Sequence, residues 1–253
     1  MPRKEDNVPA TLRAFAVVEA LARAERPRSL TDLADDAGLP KPTVYRMLAM
    51  LEEAGLAMRE PGMRRYAPGP RLSALARDVM HNGNFRAARH AVLDRLAAEI
   101  RETCNFTMLD GASVVYLDRV EAAWPLRINL TSGSHVPLHC TASGKLLLAM
   151  LPKAARERLV AQLELTAFTG NTISARKRLE QELARIRAQK YAVDNEEYHA
   201  GLVCVAVPVH DLRRRACAAI AMHAPMSRMP LDRALLQLPA LRAAAEAMSA
   251  TLG

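Results

Sequence analysis

The chain has 253 residues, half of them hydrophobic, with four cysteines and a formal net charge of +8. The length and apolar content fit two domains with cores of their own. No apolar run approaches the ~20 residues of a membrane span, and no signal-peptide core follows Met1. We therefore expect a cytoplasmic protein. The positive charge favours a polyanionic partner, whereas the spacing of Cys104, Cys140, Cys204 and Cys217 argues against a zinc knuckle or a disulfide framework.

Two short amphipathic segments near the N-terminus predict a helix-turn-helix. The first has the N-cap Ser29, supported by Asp32, and Gly38 provides a left-handed stop. The second begins near Lys41 with a proline in its first turn, where the missing N–H costs little. Its apolar residues recur at the spacing of one helix face, at Val44, Met47, Leu48 and Leu51. The opposite face, around Arg46, is then free to enter a major groove.

A hairpin is predicted directly after the second helix. Residues 56–59 and 64–67 form its arms, and Pro61 and Gly62 suit the central positions of a type II turn. Arginines near the tip can bind phosphate or reach a minor groove, although such a cluster alone is more often a solvated face. The predicted DNA contacts are Lys41, Pro42, Thr43, Tyr45, Arg46, Arg59, Arg64 and Arg65.

The first 80 residues are not strongly basic, because they hold 13 Lys and Arg against 11 Asp and Glu. Affinity for duplex DNA depends on phosphate contacts, so we expect a single copy to bind weakly. A dimer on a two-part site would supply the missing contacts. The sequence therefore favours a homo-oligomer.

The domain boundary is expected after the hairpin. We predict a winged helix-turn-helix domain at residues 1–68, a linker helix at 69–84 and a second domain at 85–253. The linker helix has an apolar stripe that could pair with a second copy, formed by Leu72, Leu75, Ala76 and Val79. The next helix is expected to turn one side inward, with Ala88, Val92, Leu96 and Ile100.

Strand and helix patterns then come in blocks, which predicts an α+β domain with a largely antiparallel sheet. Asp110-Gly111 joins the arms of a hairpin over residues 106–117. Further strands are expected at 126–130, 191–193, 203–209 and 217–223, and helices at 143–150, 152–163, 174–188 and from Leu231 onward.

Two loops of the second domain are rich in polar residues. In residues 133–145, small residues at a helix start leave N–H groups accessible to a carboxylate, with tight packing of the helix start as an equal alternative. This loop is not a Walker A motif, and we expect no cofactor. In residues 194–204, three acids and a histidine could bind a metal or perform acid–base chemistry. We expect a solvated turn there instead, and no metal.

The adjacent His139 and Cys140 could suggest a thiol nucleophile. Neighbours in sequence rarely align for proton transfer, so we predict that the protein is not an enzyme and assign no catalytic residue. Two alternatives stay open: a Cys/His hydrolase with an accessory DNA-binding module, and a nucleic-acid-binding structural protein without a ligand.

The order of these motifs resembles the IclR family of bacterial transcriptional regulators, from about Ala10 to Leu252. The likeness is carried by Leu33-Ala34, Gly38-Leu39-Pro40, Thr43, Arg46, the run from Pro137 to Lys145, Asp194 to Glu197, Gly201-Leu202 and Cys204-Val205-Ala206. It implies an α+β protein in which a linker helix joins a winged helix-turn-helix to a GAF-like effector-binding domain, assembled as a dimer or tetramer. It also implies repression or activation of catabolic genes by an operator-binding protein that senses a small organic acid, aliphatic or aromatic.

The resemblance also implies an effector pocket by position. Its lining would be Ile128, Val136, Thr141, Ala142, Ser143, Asp194, Leu202, Cys204, Ala221 and His223. In the family, the backbone at 142–143 and the side chains at Asp194 and Cys204 approach an organic acid. Small hydroxyl residues occupy the positions of Ala221 and His223 in some members. A histidine at this point could add a cationic or a hydrogen-bonding group for a carboxylate or a phenol, and it could equally be an ordinary half-buried histidine.

Overall fold

The computed structural model describes residues 8–24, 26–60, 62–81, 83–122 and 131–252. The chain divides into two compact units, Met1–Met80 and His81–Gly253. The elements up to this boundary are α1 (Ala10–Arg23), β1 (Arg28–Ser29), α2 (Leu30–Ala37), α3 (Lys41–Glu53), β2 (Ala57–Arg59), β3 (Arg65–Pro68) and α4 (Pro70–His81). The three strands form an antiparallel sheet in the order β1-β3-β2.

Local sequence explains the helix-turn-helix. The Ser29 hydroxyl accepts the Asp32 N–H and the Asp32 carboxylate accepts the Ser29 N–H, both at 3.2 Å, which forms a capping box. Gly38 ends α2 with a φ of 65°, a conformation that favours glycine. The predicted inward residues of α3 are all buried, at Val44, Met47, Leu48 and Leu51. The helix-turn-helix prediction is confirmed.

The predicted hairpin is formed by β2 and β3. The Met63 N–H donates to the Glu60 carbonyl at 3.1 Å, and Gly62 has a φ of 74°, as the third position of a type II turn requires. Pro61 lies outside the described residues. The short strand β1, which the sequence did not predict, pairs with β3 through Arg28 and Ser29 and adds a third strand to the wing.

The second unit is built around one six-stranded antiparallel sheet in the order β6-β5-β4-β9-β8-β7. Its strands are β4 (Thr103–Asp110), β5 (Ser113–Val120), β6 (His135–Pro137), β7 (Ala192–Asn195), β8 (Leu202–His210) and β9 (Ala216–Pro225). Its helices are α5 (Gly83–Ile100), α6 (Ala142–Met150), α7 (Lys153–Gln162), α8 (Arg176–Gln189), α9 (Leu231–Leu235) and α10 (Leu238–Ser249). The α+β prediction is confirmed.

Helices cover both faces of this sheet. Strands β8 and β9 contact both α6 and α10, and α6 also packs on α8 while α10 packs on α5. Cys204 and Ala206 belong to the core beneath α6, so the alternating residues Val203, Val205 and Val207 face the opposite layer. Because β8 is buried on both sides, its residues from Leu202 to Val209 are all apolar and do not alternate with polar ones.

The structure corrects several sequence-based boundaries. The closing helix is two helices, because Pro239 lacks an N–H and so occupies the first turn of a new helix, α10. In α5, Ala88 is exposed and Arg89 is buried in its place, with its guanidinium 5.7 Å from the Phe106 ring centre. The strand expected at 126–130 lies outside the described residues. Among the helices within the described ranges, none combines the length and apolarity that a bilayer crossing needs.

Candidate functional site

The outward face of α3 is accessible over its first turns. Lys41, Pro42, Tyr45 and Arg46 are exposed and Thr43 is half-buried. No acidic residue lies in the first turn of α3, so this end of the helix has no carboxylate that would repel phosphate. We call this surface the α3 face.

The arginines of the hairpin are in two different environments. Arg64 and Arg65 are exposed at the turn and at the start of β3. Arg59 donates to the Glu52 carboxylate at 3.2 Å and to the Tyr66 hydroxyl at 2.9 Å, and its guanidinium lies 5.1 Å from the Tyr66 ring centre. Arg59 therefore braces the hairpin against the end of α3.

In the second unit, the start of α6 is tightly built. The Thr141 hydroxyl accepts the Gly144 N–H at 3.1 Å and donates to the Pro137 carbonyl at 2.7 Å. Gly144 has no room for a side chain, because a Cβ there would lie 2.4 Å from the Leu138 carbonyl oxygen. The cap does not use the N–H groups of Ala142 and Ser143, and within the described ranges no acceptor binds them. Two backbone donors are thus left at a helix N-terminus.

Asp194 lies at the end of β7 and is only 1% exposed. One of its oxygens, Oδ1, accepts the backbone N–H of Glu197 at 2.7 Å and of Tyr198 at 3.4 Å. Burial raises the pKa of Asp194 to about 7, with the Glu197 charge adding to the rise and the Glu197 N–H bond opposing it. The expectation of a solvated turn is therefore wrong for Asp194 and Glu197, whose carboxyl groups the loop turns inward, whereas Glu196 is only half-buried.

A buried ion pair, absent from the sequence-based site, holds α6 to this loop. Lys145 is 1% exposed, and its ammonium contacts the Glu197 carboxylate and lies 3.8 Å from that of Glu182. Burial raises the pKa of Glu197 although Lys145 opposes the shift. Lysine and glutamate side chains are ordinarily solvated, so the sequence carries no signal for this pair.

His223 on β9 is buried in a hydrogen-bond network that favours its neutral form. Its Nε2 faces two donors, the amide of Asn105 and Nη1 of Arg119 at 3.2 Å, and so must accept. Nδ1 then carries the proton and donates to the sulfur of Cys204 at 3.4 Å, a tautomer assigned from the network. Burial, together with the Arg119 charge, lowers the pKa of His223 to about 3. The hydrogen-bonding role expected for His223 fits this network, whereas burial opposes the cationic one.

The thiols and His139 do not form a nucleophilic pair. Burial raises the pKa of Cys140 to about 12 and that of Cys204 well above its usual range, so both are thiols at neutral pH. The ring of His139 bonds through Nε2 to the Thr166 carbonyl at 2.9 Å, away from Cys140. No group of three metal-ligating side chains occurs within the described ranges.

Most of the predicted effector residues line one small pocket, which we call the α6 pocket. The predicted residues in its wall are Thr141, Ala142, Ser143, Asp194, Leu202, Cys204, Ala221 and His223, and the added ones are Tyr116, Tyr198 and His199. Val136 is buried in the core and is not part of the wall, and Ile128 lies outside the described residues. The free volume is about 20 Å³, enough for one or two waters.

Comparison with known proteins covers both units. Residues 10–61 match the family described as the IclR helix-turn-helix domain, and residues 77–250 match the C-terminal domain of the bacterial transcriptional regulator IclR. The chain is 50% identical over 242 residues to a Cupriavidus necator protein named probable transcriptional regulator SauR, covering 96% of each. It is 29% identical over 229 residues to the transcriptional repressor IclR of Escherichia coli, covering 90% of this chain and 84% of that protein.

Solved structures agree with these matches. The crystal structure of the Thermotoga maritima IclR superimposes with a TM-score of 0.65 at 29% identity, covering 96% of this chain and 98% of that one. The likeness therefore includes the DNA-binding and the effector-binding domain. Since these relatives are transcriptional regulators, the hydrolase alternative has no support.

Proposed function

This chain belongs to the IclR family of bacterial transcriptional regulators and binds DNA through its helix-turn-helix, and we propose that a small organic acid bound in the α6 pocket controls this binding at catabolic genes. The observation that carries the proposal is the pairing of two open N–H groups at the start of α6 with the buried carboxyl of Asp194. Both suit a carboxylate.

The helix start supplies the attraction for an anion. The N–H groups of Ala142 and Ser143 lie at the positive end of the α6 dipole, which is equivalent to about half an elementary charge. Both residues are buried, so water screens this charge poorly. A carboxylate can accept both N–H groups at once with its two oxygens.

Asp194 supplies a proton that makes the site tolerate an anion. With its pKa raised to about 7, the carboxyl is partly neutral near neutral pH. The protonated form donates a hydrogen bond to a ligand carboxylate, whereas the ionised form repels it. Binding of the organic acid therefore favours protonated Asp194.

Operator recognition is proposed for the α3 face and the hairpin. Lys41, Thr43, Tyr45 and Arg46 would supply phosphate and base-edge contacts in the major groove, with Pro42 in van der Waals contact. Arg64 and Arg65 would anchor the hairpin on phosphate. Arg59 has its guanidinium on Glu52 and Tyr66, so its contribution to DNA binding would be through the position of the hairpin.

We also propose a homodimer or homotetramer. Leu75 and Val79 on α4 are about half exposed, at 51% and 50%. Leu72 is half-buried on the same stripe. A second copy would cover these side chains and would supply the phosphate contacts that one nearly neutral DNA-binding domain lacks.

The test is an operator gel-shift titration with and without a panel of short carboxylic acids. An effective acid changes operator affinity only if it binds one conformational state more tightly than the other. The informative variant is Ala142→Pro, because proline is tolerated at the first helical position yet removes one N–H and places its Cδ where the anion would sit. Thr141 already has the extended conformation that precedes proline comfortably.

The matched control is Arg176→Pro, at the first position of α8, where the preceding Ala175 is also extended. We expect Ala142→Pro to keep operator affinity and to lose the response to the acid, while Arg176→Pro keeps both. A normal response in Ala142→Pro would overturn the proposal.

A further inference from the structure

A second cavity lies on the far side of His223 from the α6 pocket, and we call it the Arg119 cavity. It has a free volume of about 210 Å³, some ten times that of the α6 pocket. Its wall is formed by Glu102, Thr103, Arg119, Ala122, Ala200, Gly201, Leu202, His223, Pro225 and Arg228. Leu202 and His223 line both spaces, so together they form the partition between them.

We propose that the effector site continues past His223 into the Arg119 cavity, and that the effector is a small molecule with two anionic groups, one at the start of α6 and one on Arg119. The proposal rests on the proposed function and adds the chemical class of the ligand and the residue that selects it. Three observations support it: the volumes of the two spaces, the buried charge of Arg119 and the hydrogen bonds of His223.

Volume is the first argument. The α6 pocket has room for only one or two waters, whereas sites for organic ligands are much larger. A ligand must therefore displace part of the wall. Among the wall residues, His223 and Leu202 also line the Arg119 cavity, so displacing His223 joins the two spaces.

Charge is the second argument. The Arg119 side chain is only 5% exposed, and its Nη1 donates to the Asn105 carbonyl oxygen at 3.1 Å and to His223 Nε2 at 3.2 Å. Its Nε lies 3.4 Å from a carboxylate oxygen of Glu121, which is one-third exposed. A buried guanidinium is therefore aimed at the partition between the two spaces. The other arginine of the cavity, Arg228, is held in two bonds by Glu102.

A carboxylate is a better partner than His223 for the donors that now bind its ring. Neutral Nε2 is a single uncharged acceptor for Arg119 and for the Asn105 amide. A carboxylate in its place offers two charged oxygens to the same donors, and charge-assisted bonds of this kind are about twice as strong as neutral ones. A ligand with one anionic group cannot use this exchange while it also occupies the helix start. A ligand with two can.

The experiment is calorimetric titration of the full-length protein with two matched series, acetate, propionate and butyrate against malonate, succinate and glutarate. In the wild type we expect at least one diacid to bind about tenfold or more tightly than every monoacid, the worth of a charge-assisted bond. Arg119→Gln should remove this preference by weakening the diacids far more than the monoacids. His223→Ala, which opens the partition, should keep it.

The matched control is Arg215→Gln, which breaks an exposed ion pair with Asp211 and should leave both series as in the wild type. Thermal unfolding of each variant checks that the fold is kept, and Arg119→Lys serves if Arg119→Gln unfolds, with a reduced preference expected. Monoacids that bind as tightly as diacids overturn the extension and leave the proposed function standing. If neither series binds, both the proposed organic-acid function and the extension fall.

Discussion

We expect a single methyl group added to Gly144, in the first turn of α6, to destabilise the protein strongly. In Gly144→Ala the new Cβ would lie 2.4 Å from the Leu138 carbonyl oxygen and 2.6 Å from the Leu138 Cα and the Thr141 hydroxyl oxygen. The two Leu138 atoms belong to the backbone and cannot turn aside. The hydroxyl is the N-cap of α6, so the helix start must move and its cap must weaken.

The loss of stability follows from the overpacking and from the weakened cap. Overpacking a close-packed site costs about 1–3 kcal/mol, and loss of a threonine cap costs about 1 kcal/mol. We therefore expect Gly144→Ala to lower the free energy of unfolding by roughly 2–4 kcal/mol. Gly170→Ala is the matched control, because no heavy atom lies within 4 Å of its Cβ position and its φ is not positive. The free energy of unfolding of Gly170→Ala should stay within about 0.5 kcal/mol of the wild type.

The assay is guanidinium unfolding of the full-length protein, followed by circular dichroism. Thr141→Ala measures the cap alone and should cost about 1 kcal/mol. A stability of Gly144→Ala within about 0.5 kcal/mol of the wild type, or an equal cost for Gly170→Ala, would refute the close-approach argument. Either result would also mean that the start of α6 is not built as described, so the inference of two open N–H groups there would lose its support.

Three further predictions concern ligand binding, DNA binding and assembly. Affinity for the organic acid should fall as the pH rises through about 7, because the protonated Asp194 favours the anion, and Asp194→Asn should abolish this slope in a calorimetric pH series. Arg46→Ala should weaken operator binding by about 1–3 kcal/mol if it reads a base, whereas the exposed Lys153→Ala should not, as measured by gel shift. Replacing Leu75 and Val79 by glutamate should dissociate the oligomer in sedimentation equilibrium, and an unchanged mass would exclude this stripe from the interface.

The sequence predicts the helix-turn-helix well because its determinants are local. The cap at Ser29, the stop at Gly38 and the apolar spacing of α3 each act within a few residues, and every one appears in the structure. The long strands of the second unit are also marked by composition. Short elements such as β1 and β6 carry no such signal, since each is defined only by the strand it pairs with.

The interior of the candidate site could not be predicted in the same way. Lys145 and Glu197 are 52 residues apart and meet only because α6 packs beside the loop after β7. His223 and Arg119 are 104 residues apart and meet across β9, β4 and β5. In each case a charged or titratable side chain looks solvated in the sequence, and its burial and charge state depend on contacts that only the sheet order creates.

The buried charges also explain why proton uptake should accompany the acid. Lys145 and Arg185 balance the carboxylates of Glu197 and Glu182, and Asp194 lies next to Glu197, so an ionised Asp194 would leave this region with an excess of negative charge. An incoming carboxylate would add to that excess in a place that water screens poorly. Protonating Asp194 removes one charge and provides a donor at the point where the ligand needs it. The start of α6 attracts the anion, and ionised Asp194 opposes this attraction. The pKa of Asp194 therefore sets the pH above which binding weakens.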